Sequence, residues 1–138
     1  MIASLLHQFL GFGKIPKPMV PILEQEGIVL LEEGVSGSIT FRKFRAPWKR
    51  YSYRRNWFVG SVVLTEIRFA AFQFSRPVIN VPREREQIQK LDLSLEGEDK
   101  LRVRFEAGDF HEDWSGTIEC RFSTPSARLF LDRLSGIS

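Results

Sequence analysis

The chain has 138 residues, of which 43% are hydrophobic and 27% are charged, a composition typical of one soluble globular domain with a core of its own. The single cysteine, Cys120, excludes an intramolecular disulfide and a thiolate metal cluster, and 20 basic against 17 acidic residues leave a formal charge of +3. One cysteine ties the chain to no oxidising compartment, so we predict a cytoplasmic protein. No apolar run reaches the roughly 18 to 20 residues of a membrane-spanning helix, so we expect at most peripheral contact with a membrane.

Residues 1–24 are predicted to form a segment that precedes the domain. Four apolar residues at helical spacing predict a short amphipathic helix: Leu5, Leu6, Phe9 and Leu10. We expect this helix to dock on its own domain or on a second subunit, with a membrane surface as the alternative. Three prolines between residues 14 and 21 then predict an extended tether, and a single domain is expected over residues 25–138.

The first half of that domain is rich in strand signals. Apolar and β-branched runs, bounded by Gly and Pro, predict four strands: Ile28–Leu31, Ser38–Phe44, Tyr51–Leu64 and Arg68–Phe74. Within the third strand, the side chains on one face must change from odd-numbered to even-numbered residues. A bulge would cause this change, and we predict it at Gly60. Residues 77–89 are predicted to be an irregular connector, since Pro77 and Pro82 stop the preceding strand.

The second half shows the clearest alternation. Leucines at 91, 93 and 95 predict a half-buried strand, which Gly97 turns into an antiparallel partner over Leu101–Phe105. A last strand is predicted over Ile118–Phe122. A C-terminal helix follows Pro125, because residues 127, 130, 131 and 134 form one apolar stripe. The fold class is therefore mainly β, about seven antiparallel strands capped by a C-terminal helix.

The most informative stretch of the sequence runs from Phe41 to Trp57. It holds seven basic and six aromatic residues and no acidic residue. Ala46-Pro47-Trp48 interrupts it and predicts a hairpin turn. Basic and aromatic side chains at this density are typical of a surface for an anionic partner, either acidic lipid headgroups or an acidic protein. The structural alternative places the aromatic rings in the core and the charges on a solvated strand face. The predicted contact residues are Arg42, Lys43, Arg45, Trp48, Lys49, Arg50, Tyr51, Arg54 and Arg55.

Nucleic acid ranks behind lipid and protein as the partner, because the stretch has neither an aromatic RNP-like signature nor a glycine-rich phosphate loop. An RNA-associated protein is the third hypothesis for the function.

No catalytic or metal-binding constellation is recognisable. The run Asp109–Trp114 gathers three acids and His111, but ligands from other elements are missing, so we predict a solvated loop and neither metal nor cofactor. Cys120 alternates inward with Ile118 and Phe122, where a thiol behaves as a small hydrophobe. We therefore predict a non-enzymatic protein. The acidic loop is expected to serve at most as a contact with the basic stretch of a second copy, giving a homo-oligomer.

The order of elements resembles the pleckstrin-homology-like superfold. The run from Gly60 to Phe69 also resembles it, because a small residue begins an apolar strand that ends in Leu-Thr, and Arg and a second apolar strand follow. The GRAM-like and bacterial PH-like domains are the most similar branch. The resemblance covers residues 27–134 and implies a partly open barrel that binds lipids or protein segments. Phosphoinositide-binding members use a basic loop between their first two strands. Here that turn, residues 32–37, is acidic, so no such site is carried over. The alternative is a small β-barrel that carries a hydrophobic ligand.

Overall fold

The computed structural model describes residues 14–136. Over this range it contains seven strands and three α-helices. The strands are β1 (Ile28–Ala46), β2 (Lys49–Thr65), β3 (Arg68–Gln73), β4 (Arg76–Pro82), β5 (Asp92–Leu95), β6 (Lys100–Glu106) and β7 (Ser115–Ser123). The helices are α1 (Val20–Glu26), α2 (Arg85–Ile88) and α3 (Ala127–Ser135), with 3-10 turns at Lys17–Met19 and Ala107–Asp109.

All seven strands belong to one antiparallel sheet in the order β4-β3-β2-β1-β7-β6-β5. The sheet curls into a half-barrel whose two edges are β4 and β5. The predicted fold class, mainly β with about seven antiparallel strands in a partly open barrel and a C-terminal helix, is confirmed.

The inner face of the sheet packs on α3. Alternate strand residues supply this core, and Ala127, Phe130 and Leu134 of α3 are buried in it. The ring of Phe130 lies 6.4 Å from that of Phe69, between ring centroids. Helix α3 begins after Thr124, whose Oγ1 accepts a hydrogen bond from the Ser126 N–H at 3.1 Å. The predicted apolar stripe therefore closes the barrel from inside.

A second apolar cluster lies on the outer face. Ile15 and Leu23 are buried there against Val63, Ala70 and Phe72. The extended tether predicted for residues 14–21 is therefore wrong, since this region holds a 3-10 turn and the start of α1. Pro18 and Pro21 are tolerated there because each stands in the first turn of its helix, where the missing N–H would have no intrahelical partner. Pro16 directly precedes the 3-10 turn. The amphipathic helix predicted around Leu5 lies outside the described residues.

Strand β1 replaces the two separate strands predicted in its range. It runs unbroken through Gly34, which has a φ of 69° and accompanies a register shift between Glu33 and Val35. Gly60 on β2 lies beside this shift. A Cβ at Gly60 would stand 1.9 Å from the Phe72 carbonyl oxygen, so glycine is required for the close approach of β3.

Residues 77–89 were predicted to be an irregular connector, and this prediction is wrong. The segment contains most of β4 and the short helix α2. Pro77 and Pro82 are compatible with β4 because it is an edge strand, where a missing N–H can face away from the ladder.

Candidate functional site

The basic and aromatic stretch forms the distal part of the β1–β2 hairpin, which we call the basic hairpin (residues 41–57). Ala46 pairs with Lys49 across the Pro47-Trp48 turn, as the sequence predicted. Strand β3 pairs with β2 between Gly60 and Leu64, and the Phe74 N–H donates a hydrogen bond to the Val59 carbonyl oxygen at 3.0 Å. Among the described residues, no strand pairs with residues 49–58 of β2 on this side, so they form a free edge. The positive charges along this edge oppose pairing with a second copy of the strand.

The tip of the basic hairpin carries an isolated aromatic ring among cations. Trp48 is 91% exposed, and Arg45, Lys49 and Arg50 beside it are also exposed. No residue between Gly34 and Thr65 is acidic. In the described part of the chain, none of the seven basic side chains of the hairpin has a carboxylate within 4.0 Å, the limit for an ion pair. The cations of the tip therefore form no ion pair with a described carboxylate, although Asp113 lines the same pocket as Arg45 and Arg50.

Two further aromatic rings are exposed on the outer face of the basic hairpin. The Arg42 guanidinium lies 5.3 Å from the centre of the Tyr53 ring, and that of Arg55 lies 4.5 Å from the Trp57 ring. Tyr53 is 57% exposed and Trp57 is 71% exposed. The predicted contact residues did not include these two rings. Tyr53 precedes Arg54 and Trp57 precedes Phe58, and this alternation along the strand could have indicated that the two rings face outward.

Tyr51 and Arg54, predicted as contact residues, lie on the inner side of the hairpin. The Tyr51 ring is partly buried and stacks on Phe44, with 5.9 Å between centroids, while the Arg54 guanidinium lies 4.9 Å from the Tyr51 ring. The cause is a bulge at Lys43, where φ is 50° and the β1–β7 register shifts. The inward positions of β1 change parity there, from Phe41 to Phe44.

Eight of the nine predicted contact residues therefore divide into three groups, and Lys43 stands apart from them. Arg45, Trp48, Lys49 and Arg50 form the tip, Arg42 and Arg55 belong to the outer-face pairs, and Tyr51 and Arg54 belong to the inner side. Lys43 is exposed at the bulge.

The outer face beyond β1 carries charges that neutralise one another. Glu119 is only 3% exposed and accepts a hydrogen bond from Arg102 Nη2 at 2.8 Å, while Arg121 bridges Glu119 and Glu96. Burial, the largest influence, would raise the pKa of Glu119, but the hydrogen bond from Arg102 and the charges of Arg121, Arg102 and Arg42 outweigh it and lower the pKa. The same hydrogen bond raises the pKa of Arg102. This paired cluster contrasts with the unpaired hairpin beside it.

The other candidate groups do not form a reactive site. His111 is exposed and stacks on Trp114 at 3.6 Å, whereas Cys120 is fully buried and its burial raises the thiol pKa to about 12. Within residues 14–136, no three His, Cys, Asp or Glu side chains are grouped so that they could hold a metal ion. Asp113 of the acidic loop lies at the tip of the basic hairpin, close to Arg45 and Arg50.

Comparisons with protein-family models, with curated proteins and with solved structures found no match to this chain. Among the described residues, no helix has both the length and the apolar character needed to cross a bilayer.

Proposed function

We propose that this protein is a non-enzymatic binding module that attaches to the surface of anionic phospholipid membranes through the tip of its basic hairpin. In this proposal, Arg45, Lys49 and Arg50 contact the headgroups, and Trp48 enters the interface between headgroups and acyl chains. The observation that carries the proposal is the 91% exposure of Trp48 among cations that form no ion pair with any described carboxylate.

Physical chemistry favours a membrane surface over a folded acidic protein. Trp is amphipathic and is enriched at membrane interfaces, where its ring is in contact with acyl chains and its N–H with water or headgroups. A Lys or Arg near an anionic bilayer contributes about 1 kcal/mol of attraction. A protruding turn with one indole ring can meet a planar surface, whereas a protein partner would need a complementary cavity for it. A GRAM-like or bacterial PH-like domain would have this architecture, and membership of that superfold is part of the proposal.

Vesicle co-sedimentation tests the proposal with three substitutions at the tip: Arg45→Glu, Lys49→Glu and Arg50→Glu. Binding to vesicles that contain phosphatidylserine should weaken by at least about 100-fold, which corresponds to about 3 kcal/mol for three lost cations. The matched control reverses three exposed charges elsewhere, Arg76→Glu, Arg85→Glu and Arg128→Glu, with the same change in net charge. It should bind like the wild type.

Three further observations separate the alternatives. Wild-type binding should fail on pure phosphatidylcholine and decline as salt shortens the Debye length from about 10 Å at 0.1 M to about 3 Å at 1 M. Brominated lipids should quench the fluorescence of the wild type but not that of Trp48→Phe. Equal losses in both triple variants would refute the role of the tip. Binding to poly-glutamate or single-stranded RNA without binding to vesicles would reassign the hairpin to an acidic protein or to nucleic acid.

A further inference from the structure

The half-barrel is open along the seam between its edge strands β4 and β5. Strand β5 begins at Asp92, which pairs with Arg104, whereas β6 continues to Glu106. The inward residue Phe105 therefore has β7 on one side and no β5 neighbour on the other. This difference in strand length leaves a gap in the wall of the barrel beside Phe105.

Strand β4 contributes to the same gap through a bulge. Ala71 pairs with Ile79 and Phe72 pairs with Pro77, so Val78 is the extra residue of β4. A bulge can redirect a side chain, and Val78 packs against the inner core together with its neighbour Ile79. The wall of the seam is therefore mostly apolar on the β4 side, where Asn80 is its one polar residue.

A cavity of about 240 Å³ occupies the seam. Its apolar lining is supplied by Val78, Ile79, Val81, Leu91, Phe105 and Phe110. Phe110 stands edge-on to Phe105 at 5.3 Å between centroids, and the ammonium group of Lys90 lies 5.6 Å from the Phe110 ring. The exposed His111 also borders the cavity and is the one ionisable side chain among the described residues that line it.

The volume of the cavity decides what fits. An engineered apolar protein cavity of about 150 Å³ binds benzene. The seam cavity is larger, and has room for one substituted aromatic ring or a short alkyl chain, but is smaller than the roughly 300 to 1,000 Å³ of sites for drug-sized ligands. An extended peptide fits less well, because Pro77 and Pro82 remove two backbone donors from the seven residues of β4.

We propose that the seam between β4 and β5 binds a small apolar molecule, with a single ring or short alkyl chain packed against Val78, Val81, Leu91 and Phe105. A hydroxyl or other polar end of the molecule faces His111 and solvent. This site is separate from the tip of the basic hairpin and does not depend on the membrane proposal.

A series of 1-alkanols from butanol to octanol is the probe, because neutral alcohols are not attracted to the basic hairpin. Protein with labelled methyl groups is titrated and followed by NMR. The methyl resonances of Val81 and Leu91 should shift saturably, while those of Val63 and Leu23, in the cluster under α1, should not. Binding should tighten by about fourfold for each added methylene until the cavity is full. Shifts throughout the protein, shifts without saturation or no shifts would overturn the proposal.

A substitution that fills the cavity tests the location. Val78→Phe places a ring in the seam and should weaken octanol binding by at least about tenfold, the effect of losing two buried methylenes. Val59→Phe is the matched control, since Val59 is a partly buried valine of β2 outside the cavity, and its binding should stay unchanged. Unchanged binding by Val78→Phe would place the site elsewhere. If that variant fails to fold, the shift map of the wild type decides alone.

Discussion

Replacing Glu119 with glutamine tests the paired charge cluster on the outer face. Glu119→Gln keeps the shape of the side chain and removes its charge, while Arg102 and Arg121 remain. The Glu119 side chain is 3% exposed, but those of Arg102 and Arg121 are 32% and 18% exposed. The two arginines can therefore recover part of their hydration once the carboxylate is gone.

The expected magnitude lies between two limits. Breaking a fully buried ion pair costs about 3 to 5 kcal/mol, whereas exposed pairs contribute about 1 kcal/mol or less. With one buried and two partly exposed partners, Glu119→Gln should lower the free energy of unfolding by about 2 kcal/mol at pH 7. For a domain of this size that corresponds to a fall of about 6 °C in Tm.

The pH dependence provides a stricter test. The folded-state pKa of Glu119 lies below the ordinary value of a glutamate, so its contribution to stability is complete above that ordinary pKa and is lost as the pH falls through the folded-state pKa. Urea unfolding at several pH values should therefore show a gap between wild type and Glu119→Gln that closes in acid. The control is Glu106→Gln on the same face, where the carboxylate is exposed and accepts one bond from Thr117. A constant gap, or an equal loss in Glu106→Gln, would refute the reasoning.

Four further substitutions or reagents test the packing and the tip. Gly60→Ala should destabilise the protein by about 3 kcal/mol in urea unfolding, because its Cβ would meet the Phe72 carbonyl oxygen at 1.9 Å. Phe130→Ala should cost about 4 kcal/mol in the same assay, because it empties the contact between α3 and the sheet. The Cys120 thiol should not react with dithionitrobenzoate at pH 8 until denaturant is added, since its pKa is about 12 and it is buried. Trp48→Ala should change the free energy of unfolding by less than about 0.5 kcal/mol, and a larger loss would mean that Trp48 packs on the fold.

Local periodicity was sufficient for the elements whose two faces have different surroundings. The β5–β6 hairpin and α3 were predicted nearly to their observed bounds, because one side of each faces the core and the other faces water. The wrong predictions concern segments that lack such a contrast. Residues 14–21 and 77–89 contain prolines that local rules interpret as breaks.

Tertiary contacts decide those segments. Ile15 and Leu23 are held on the outer face by Val63 and Phe72, which are distant in sequence. Strand β4 exists because β3 pairs with it, and its prolines are tolerated because no other strand of the described residues pairs with its outer edge. Nothing within either segment by itself specifies such a partner.

At the candidate site too, some features of the basic hairpin follow from the local sequence and others depend on tertiary contacts. Its charges, its aromatic content and its Pro-containing turn are properties of neighbouring residues, and sequence alone determined them together with the mainly β fold class. Only the tertiary structure decided that Tyr53 and Trp57 face outward while Tyr51 faces inward. That choice depends on a bulge at Lys43, where Gly116 of β7 approaches so closely that a Cβ would stand 2.4 Å from the Lys43 carbonyl oxygen. The seam cavity likewise depends on where β5 begins opposite β6 and on the bulge in β4, because a period of two determines which residues alternate but not where a pairing strand ends.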